Sequence, residues 1–497
     1  MASMEKSILP QDLTGVHIHF VGIKGTGMAA LVEILSARKA LITGSDVSER
    51  FYTDEILEKL GIKALPFSEK NITEKTQLVI YSSAYSPEKN PDLAQAKKLG
   101  IPLLLYSEAL GEISRTAYSC GICGVHGKTT TTGLAGTMLK ELDLPSQVLA
   151  GSIISSFGNS CTMTSKEFSD SVEKKYFVAE TCEYQRHFMS FCPQKIILTS
   201  VESDHQDYYP TFADIQTAFV DYICKLPENG ELIFCADDKG ACETAAIAKK
   251  KRSDINFIPY GENAEGDFKL SFGKIEGGKQ FFRIGKTECA LHVPGKHNAR
   301  NAAAAFALCC KILQAAGKNP QEYFDKLKNG LEKFSGGKRR SEIVGRAKNK
   351  FGQNIIFIDD YGHHPTAIKT TLAGFRQFYK DHKIIVDFMS HTYTRTAALL
   401  EEFASSFESA DMVVINKIYG SAREKADSTT VTGKILAEHA KKYHPNVVYA
   451  KEFEEAAQII ESELNKKSDA KDGYVFVTMG AGDNFKVGQM VLEKFKV

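Results

Sequence analysis

No run in this 497-residue chain approaches the roughly 18 to 20 apolar residues that a membrane-spanning helix needs. The opening, MASMEKSILPQDLTG, lacks the apolar stretch of a secretion signal, so the protein is expected to stay in the cytoplasm and off the membrane. Charge of one sign is missing too. With 62 Lys and Arg against 61 Asp and Glu the formal net charge is +1, too weak a field to draw nucleic acid or an acidic surface. No internal repeat or low-complexity linker interrupts the chain. Its 43% hydrophobic and 25% charged residues are the values of a globular protein, which excludes a disordered or fibrous one.

Cysteine is present but not in a framework. The eleven cysteines are scattered, several in apolar stretches such as Cys309 and Cys310, and read as reduced thiols used as small core residues. Cys120 and Cys123 stand at C-x-x-C spacing, yet no second thiol pair completes a zinc site, so they are read as structural.

The patterning predicts an α/β protein. A chain this long exceeds one ordinary core, and three domains are expected. Apolar strands alternate with helical stretches from VHIHFVG through ALITGSD, LVIYSSA and IPLLLYS, the signature of a parallel sheet covered on both faces. A second series opens at TAYSCGICG and continues through KYFVAE, KIILTSV, ELIFCA and INFIPYG. Between Phe268 and Val293 short alternating stretches with glycines predict an antiparallel insertion. After FSGGKRR a third series begins, with NIIFIDD, KIIVDFM, DMVVINK and GYVFVTM as strands. The divisions fall at 1–114, 115–334 and 335–497.

The strongest motif is GVHGKTTTT, Gly124 to Thr132, between a predicted strand and a predicted helix. Such a loop (Gly124, Val125, His126, Gly127, Lys128, Thr129, Thr130) wraps backbone N–H groups around phosphates. The lysine neutralises charge, and a following hydroxyl serves Mg²⁺. The spacing departs from G-x-x-x-x-G-K-[ST], because Ile122 occupies the first glycine position. An earlier loop, GIKGTGM, also follows a strand and opens a helix, so Gly22, Gly25, Thr26, Gly27 and Met28 are candidates for a phosphate-bearing ligand, with Asp46 for a sugar hydroxyl. Its glycine spacing is wrong for a dinucleotide fingerprint, which counts against a nicotinamide-dependent oxidoreductase. Glu180 in VAETCEY and His205 in TSVESDHQDYY follow strands and are expected beside Thr129, an arrangement suited to Mg²⁺. In the third series KRR contributes Arg340, DDYGHHP carries Asp360, Tyr361 and His363, and the strand KIIVDFM delivers His391 and Arg395, the last a candidate clamp for a carboxylate.

In order, IHFVGIKGTGM, GSD, SSA, GVHGKTTTT, SDHQDYY, GKHNARNA, KRR, DDYGHHPT and H-T-Y-T-R-T make the chain resemble the Mur ligase family over nearly its whole length. That resemblance implies a Rossmann-like N-terminal domain for a UDP-sugar, a central ATPase domain with a parallel sheet and phosphate-binding loop, and a Rossmann-like C-terminal domain that closes over both. It implies ATP with Mg²⁺ and a ligase activity that joins UDP-N-acetylmuramate to L-alanine through an acyl phosphate in peptidoglycan synthesis, by a monomer or weak homodimer. By the same resemblance Lys128 holds the phosphates, and Thr129, Glu180 and His205 serve the metal. Asn298 contacts adenine, Asp360 lies near the ribose, and Arg340 reaches the phosphates. Ser83 belongs to the sugar site, while Tyr361, His363, His391 and Arg395 surround the amino acid. Lys128, His205, Arg340 and His363 are the expected catalytic groups. The chain departs from the family pattern at Thr392, where an arginine is usual, at ETCEYQ, and at Ser200, where an asparagine is usual. Two other readings remain at this stage: a sibling that attaches a whole peptide to UDP-N-acetylmuramate during cell-wall recycling, and a UDP-sugar-binding protein without catalysis.

Overall fold

A computed structural model describes residues 8–169, 171–206, 208–420 and 430–496. Residues 1–7 of the opening and Asp207 of SDHQDYY lie outside the described residues.

Three parallel-type sheets follow one another along the chain. The first has four parallel strands in the order Leu41–Ser45, His17–Val21, Leu78–Tyr81, Leu103–Leu105. Its strand His17–Val21 is buried almost throughout although it carries two histidines, the buried His19 being held by Thr43 and Asp92 at 2.9 and 3.3 Å. The helix Pro91–Lys98 begins where sequence rules place it: the Asn90 side chain accepts from the Leu93 N–H, and proline occupies the first turn.

The second sheet has seven strands, ordered Asn256–Tyr260, Glu231–Cys235, Lys195–Leu198, Tyr118–Cys123, Tyr176–Glu180, Ser146–Ile154, Ser160–Thr164. All neighbours are parallel except the last pair. The expectation of a purely parallel sheet therefore meets an antiparallel edge, formed because the chain reverses through Ser155–Phe157 and Gly158 rather than crossing over a helix. Two helices cover the middle of this sheet. Lys128–Leu139 is almost entirely buried, and the alanine-rich Lys296–Ala315 packs beside it, with the Cys309 thiol 3.8 Å from the Ala135 carbonyl. Small side chains permit this close approach. The antiparallel insertion is a three-stranded sheet, Leu270–Glu276, Lys279–Ile284, Thr287–Leu291. Gly277 and Gly278 both take positive φ in its first turn, the conformation a two-residue hairpin loop requires.

The third sheet is ordered Glu342–Lys348, Asn354–Asp360, Gly473–Gly480, His382–Met389, Met412–Ile415, Val447–Tyr449. Only its first strand is antiparallel. Alternate residues separate into two cores: Ile356, Ile358, Val386 and Phe388 on one face, Ile355, Phe357 and Ile385 on the other. That is the period of two that a doubly covered sheet demands.

The basic turn between the second and third sheets is held in place. Lys338 N–H donates to Ile153 O at 2.7 Å, and Ser155 N–H to Gly336 O at 3.3 Å. Arg339 pairs with Asp359 at 2.9 Å and donates to Gly480 O at 2.7 Å. All eleven cysteines are free, and Cys120 and Cys123 are buried. Burial pushes the Cys120 thiol up to about 12, which suits a core residue and not a reactive one.

Candidate functional site

The central strand Tyr118–Cys123 fixes where the phosphate-binding loop begins. Ile122 is fully buried inside that strand, so the loop starts at Gly124 and the departure from the usual spacing is one of strand length. Gly124 has φ +130°, and a Cβ there would stand 2.1 Å from Thr199 Oγ1. Gly127, at φ +82°, caps the helix Lys128–Leu139. The N–H groups of that first helical turn have no partner within the helix and face outward, where a polyanion is favoured by both hydrogen bonding and the helix dipole.

Lys128 turns back over the loop. Its ammonium donates to Gly124 O at 2.5 Å and lies 2.9 Å from a carboxylate oxygen of Glu183. Burial pushes the lysine pKa down, but Glu183 outweighs it and the net shift is upward. Burial pushes Glu183 up, and Lys128 with His205 more than reverses that, leaving the carboxylate below its ordinary value. Both groups are charged at neutral pH.

Strand order brings the remaining groups to the loop. The strand ending at Glu180 lies on one side of Tyr118–Cys123 and the strand leading to Ser200–His205 on the other. Glu180 accepts from Gly151 N–H at 2.8 Å, and His205 Nε2 is 3.5 Å from Glu183. The third sheet closes the opposite wall with the C-terminal ends of Asn354–Asp360 and His382–Met389. Between the two walls is a cavity of about 880 Å³. Its lining includes Val125 to Thr130, Glu180, His205, Asn298, Arg340 and Asp360, together with Tyr361, His363, His391 and Arg395. Gly124 is not part of this lining.

Individual contacts refine the expectations. Arg340 lies 4.9 Å from the centre of the Tyr361 ring, while the neighbouring Arg339 is spent on Asp359. Asp360 accepts from the N–H groups of Ser341 and Gly362 at 2.7 and 2.8 Å. The Asn298 amide donates to Pro294 O at 2.7 Å. His363 Nδ1 is 2.9 Å from Tyr361 O, and burial together with nearby Arg395 holds its pKa well below the ordinary value, so the imidazole is neutral. Arg395 already clamps a carboxylate, that of Asp204 at 2.7 Å. Burial would raise Asp204, but Arg395 carries its pKa far below the usual range. Glu183 and Asp204 were not singled out by sequence reasoning, although both stand inside the stretches that supplied Glu180 and His205. Their partners are set by folding. Ser200, a departure from the family pattern, accepts from His126 N–H at 2.9 Å and from Val125 N–H through its carbonyl at 3.0 Å.

The first glycine loop belongs to a separate pocket of about 270 Å³, lined by Gly25 to Met28, Ser82, Ser83, Tyr106 and His187. Gly22 and Asp46 are not in that lining. A Cβ on Gly22 would meet the Tyr85 ring at 2.6 Å. Asp46 accepts from Lys24 N–H at 2.7 Å and from the Tyr85 hydroxyl at 3.2 Å, so it shapes the loop from behind.

Comparison with known proteins matches three family descriptions in order: "Mur ligase family, catalytic domain" over residues 17–118, "Mur ligase middle domain" over 122–309, and "Mur ligase, glutamate ligase domain" over 339–482. The UDP-N-acetylmuramate–L-alanine ligase of Treponema pallidum (strain Nichols) is 46% identical, covering 99% of each chain. The corresponding ligase of Borreliella burgdorferi is 36% identical over 94% of this chain and 97% of its own. Among solved structures, the UDP-N-acetylmuramate–alanine ligase of Thermotoga maritima superposes with a TM-score of 0.72 at 24% identity, covering 96% of this chain and 99% of that one. A murein peptide ligase from Psychrobacter arcticus gives 0.65 at 22% identity, covering 97% of this chain and 99% of that one. At those identities the two structures speak to the fold.

Proposed function

The chain belongs to the Mur ligase family, and from that premise we infer that it joins L-alanine to the lactyl carboxylate of UDP-N-acetylmuramate, with cleavage of ATP, in peptidoglycan precursor synthesis. The observation that carries this reading is Lys128, half-buried at a helix N-terminus in a cavity whose opposite wall presents Arg340 and His363. In this reading residues 1–114 receive the UDP-sugar, 115–334 the nucleotide, and 335–497 the amino acid, and the protein works in the cytoplasm.

The substrate carboxylate attacks the γ-phosphorus of ATP, giving ADP and an acyl phosphate. The amine then attacks the acyl carbon, and phosphate leaves from the tetrahedral adduct. Lys128 and Arg340 supply fixed positive charge where negative charge builds on the transferring group, so catalysis is mainly positioning and electrostatics. His363, neutral and with Nδ1 engaged by Tyr361 O, offers Nε2 to the proton released as the amide forms. Thr129, Glu180 and His205, all in the cavity lining, are the residues that would hold Mg²⁺. Bound there, the ion would neutralise phosphate charge. Enclosure between the second and third sheets keeps water from the acyl phosphate.

The test is phosphate release with Mg²⁺-ATP and UDP-N-acetylmuramate, adding L-alanine, L-serine, glycine or the L-Ala-D-Glu-diamino acid tripeptide one at a time. Release that depends on L-alanine, with a UDP-muramyl-alanine product by mass, is expected. Release with the tripeptide alone would move the protein to the recycling branch.

A further inference from the structure

A group of side chains in the cavity wall has no part in the chemistry above. His126, from the phosphate-binding loop, and Glu202 face His364, which stands at the start of the helix Pro365–Phe378 in the third unit. One ligand atom from each lies within 4.8 Å of the others, and among the described residues they form the group of three metal-type side chains. His126 Nε2 pairs with Glu202 Oε1, and His364 Nδ1 is 3.7 Å from the same oxygen. The two imidazole rings are 5.0 Å apart. Donors around a tetrahedral ion with bonds of about 2.0 to 2.1 Å sit roughly 3.3 Å from one another, so small side-chain adjustments close this set.

A second observation points independently to a ligand. His364 is only 5% exposed, yet neither of its ring nitrogens has a hydrogen-bond partner. Buried imidazoles are ordinarily satisfied, because an unpaired polar atom away from water is costly. The surroundings are also those of a held ligand set. Thr366 donates its hydroxyl to Glu202 Oε2 at 3.0 Å, leaving Oε1 for the shared point. His126 is fixed through its N–H to Ser200 Oγ and its carbonyl to Thr199 Oγ1. Outer partners of this kind orient metal ligands.

We propose that His126, Glu202 and His364 bind one transition-metal ion of the zinc class, which fastens the phosphate-binding loop to the third unit. Two imidazoles and one carboxylate favour Zn²⁺, Co²⁺ or Ni²⁺ over Mg²⁺, which prefers oxygen donors. Three protein ligands leave a fourth position on the cavity side for water or a phosphate oxygen. Since the ligands come from two units, the ion binds the closed arrangement and stabilises it by mass action. The proposal does not depend on which amine the enzyme uses.

The test uses Co²⁺ as probe on the untagged full-length chain, without Mg²⁺ or substrates, reading the visible ligand-field absorption of low-coordinate Co²⁺ and its displacement by Zn²⁺. One tightly bound equivalent is expected for the wild type. His364→Gln and Glu202→Gln should abolish the band, and Thr366→Val, which keeps shape but loses the orienting hydroxyl, should weaken affinity about 10- to 100-fold. Glu180→Gln, altered in the proposed Mg²⁺ set, should keep the band. Absence of stoichiometric binding in the wild type overturns the proposal. So does a band that survives His364→Gln, an affinity unchanged in Thr366→Val, or a band lost in Glu180→Gln. Should His364→Gln fail to fold, as far-ultraviolet circular dichroism would reveal, the Thr366→Val affinity decides.

Discussion

The two glycine loops share a plan and differ in where their lysine goes. Each follows a buried parallel strand and opens a helix of twelve residues. In the first, Lys24 reaches away from the loop to Glu49 O at 2.7 Å and to Asp54 at 3.3 Å. In the second, Lys128 folds back over the loop, held by Gly124 O and Glu183. The first loop therefore presents mainly backbone and the Thr26 side chain to its pocket, and the second adds an ammonium folded back over the loop. A helix N-terminus is sufficient to bind a phosphate group, whereas phosphoryl transfer also needs charge placed where charge develops. On the proposed function, one supersecondary unit would serve binding or chemistry according to the partner of a single side chain.

Substitution of the two lysines tests this contrast most sharply. Lys128→Ala should lower kcat for ATP-dependent ligation by about 10²- to 10³-fold, measured as phosphate release at saturating substrates. A loss below tenfold would break the comparison. Glu183→Gln should leave Lys128 without its buried counter-ion and destabilise the fold by about 3 kcal/mol at pH 7, read from denaturant midpoints. The sign with pH follows from the depressed pKa of Glu183. Its contribution is fully present above the ordinary carboxylate value of 4.5 and fades as pH falls below it. The stability gap between wild type and Glu183→Gln should thus narrow on acidification through that value, and a constant gap would show that Glu183 acts through packing alone.

Gly127→Ala sharpens the backbone half of the contrast. At φ +82° the new Cβ would lie 2.6 Å from Asn301 Oδ1, and a cost of about 1 to 3 kcal/mol is expected, with loss of ATP binding by calorimetry. Lys24→Ala should have the smallest effect, about 1 kcal/mol of stability from the lost contacts. The KM for ATP should not change, and a large rise in it would mean that the first loop serves the nucleotide.

Much of the site was legible as motifs because each motif is local. Gly124 to Thr130 announce a phosphate-binding loop from their own spacing, and Asp360 to His363 from their density after a strand. Asp46 shows what spacing alone leaves open: its carboxylate accepts from Lys24 N–H and the Tyr85 hydroxyl, contacts set by the fold. Arg395 was read as a clamp for a substrate carboxylate and in the fold clamps Asp204. The antiparallel edges at Ser160–Thr164 and Glu342–Lys348 escaped notice because edge strands are short or half-exposed and carry little periodic signal.

The sequence by itself determined the alternation of strands and helices, the two glycine loops and the residue types available for chemistry, since these follow from periodicity, turn chemistry and spacing along the chain. Tertiary structure alone decided which charges pair. Lys128 with Glu183, Arg395 with Asp204, and His126 with Glu202 and His364 are separated by tens to hundreds of residues. They meet only because parallel strands deliver their C-terminal ends to a common crevice, where low solvent access makes each pairing strong enough to set protonation and geometry.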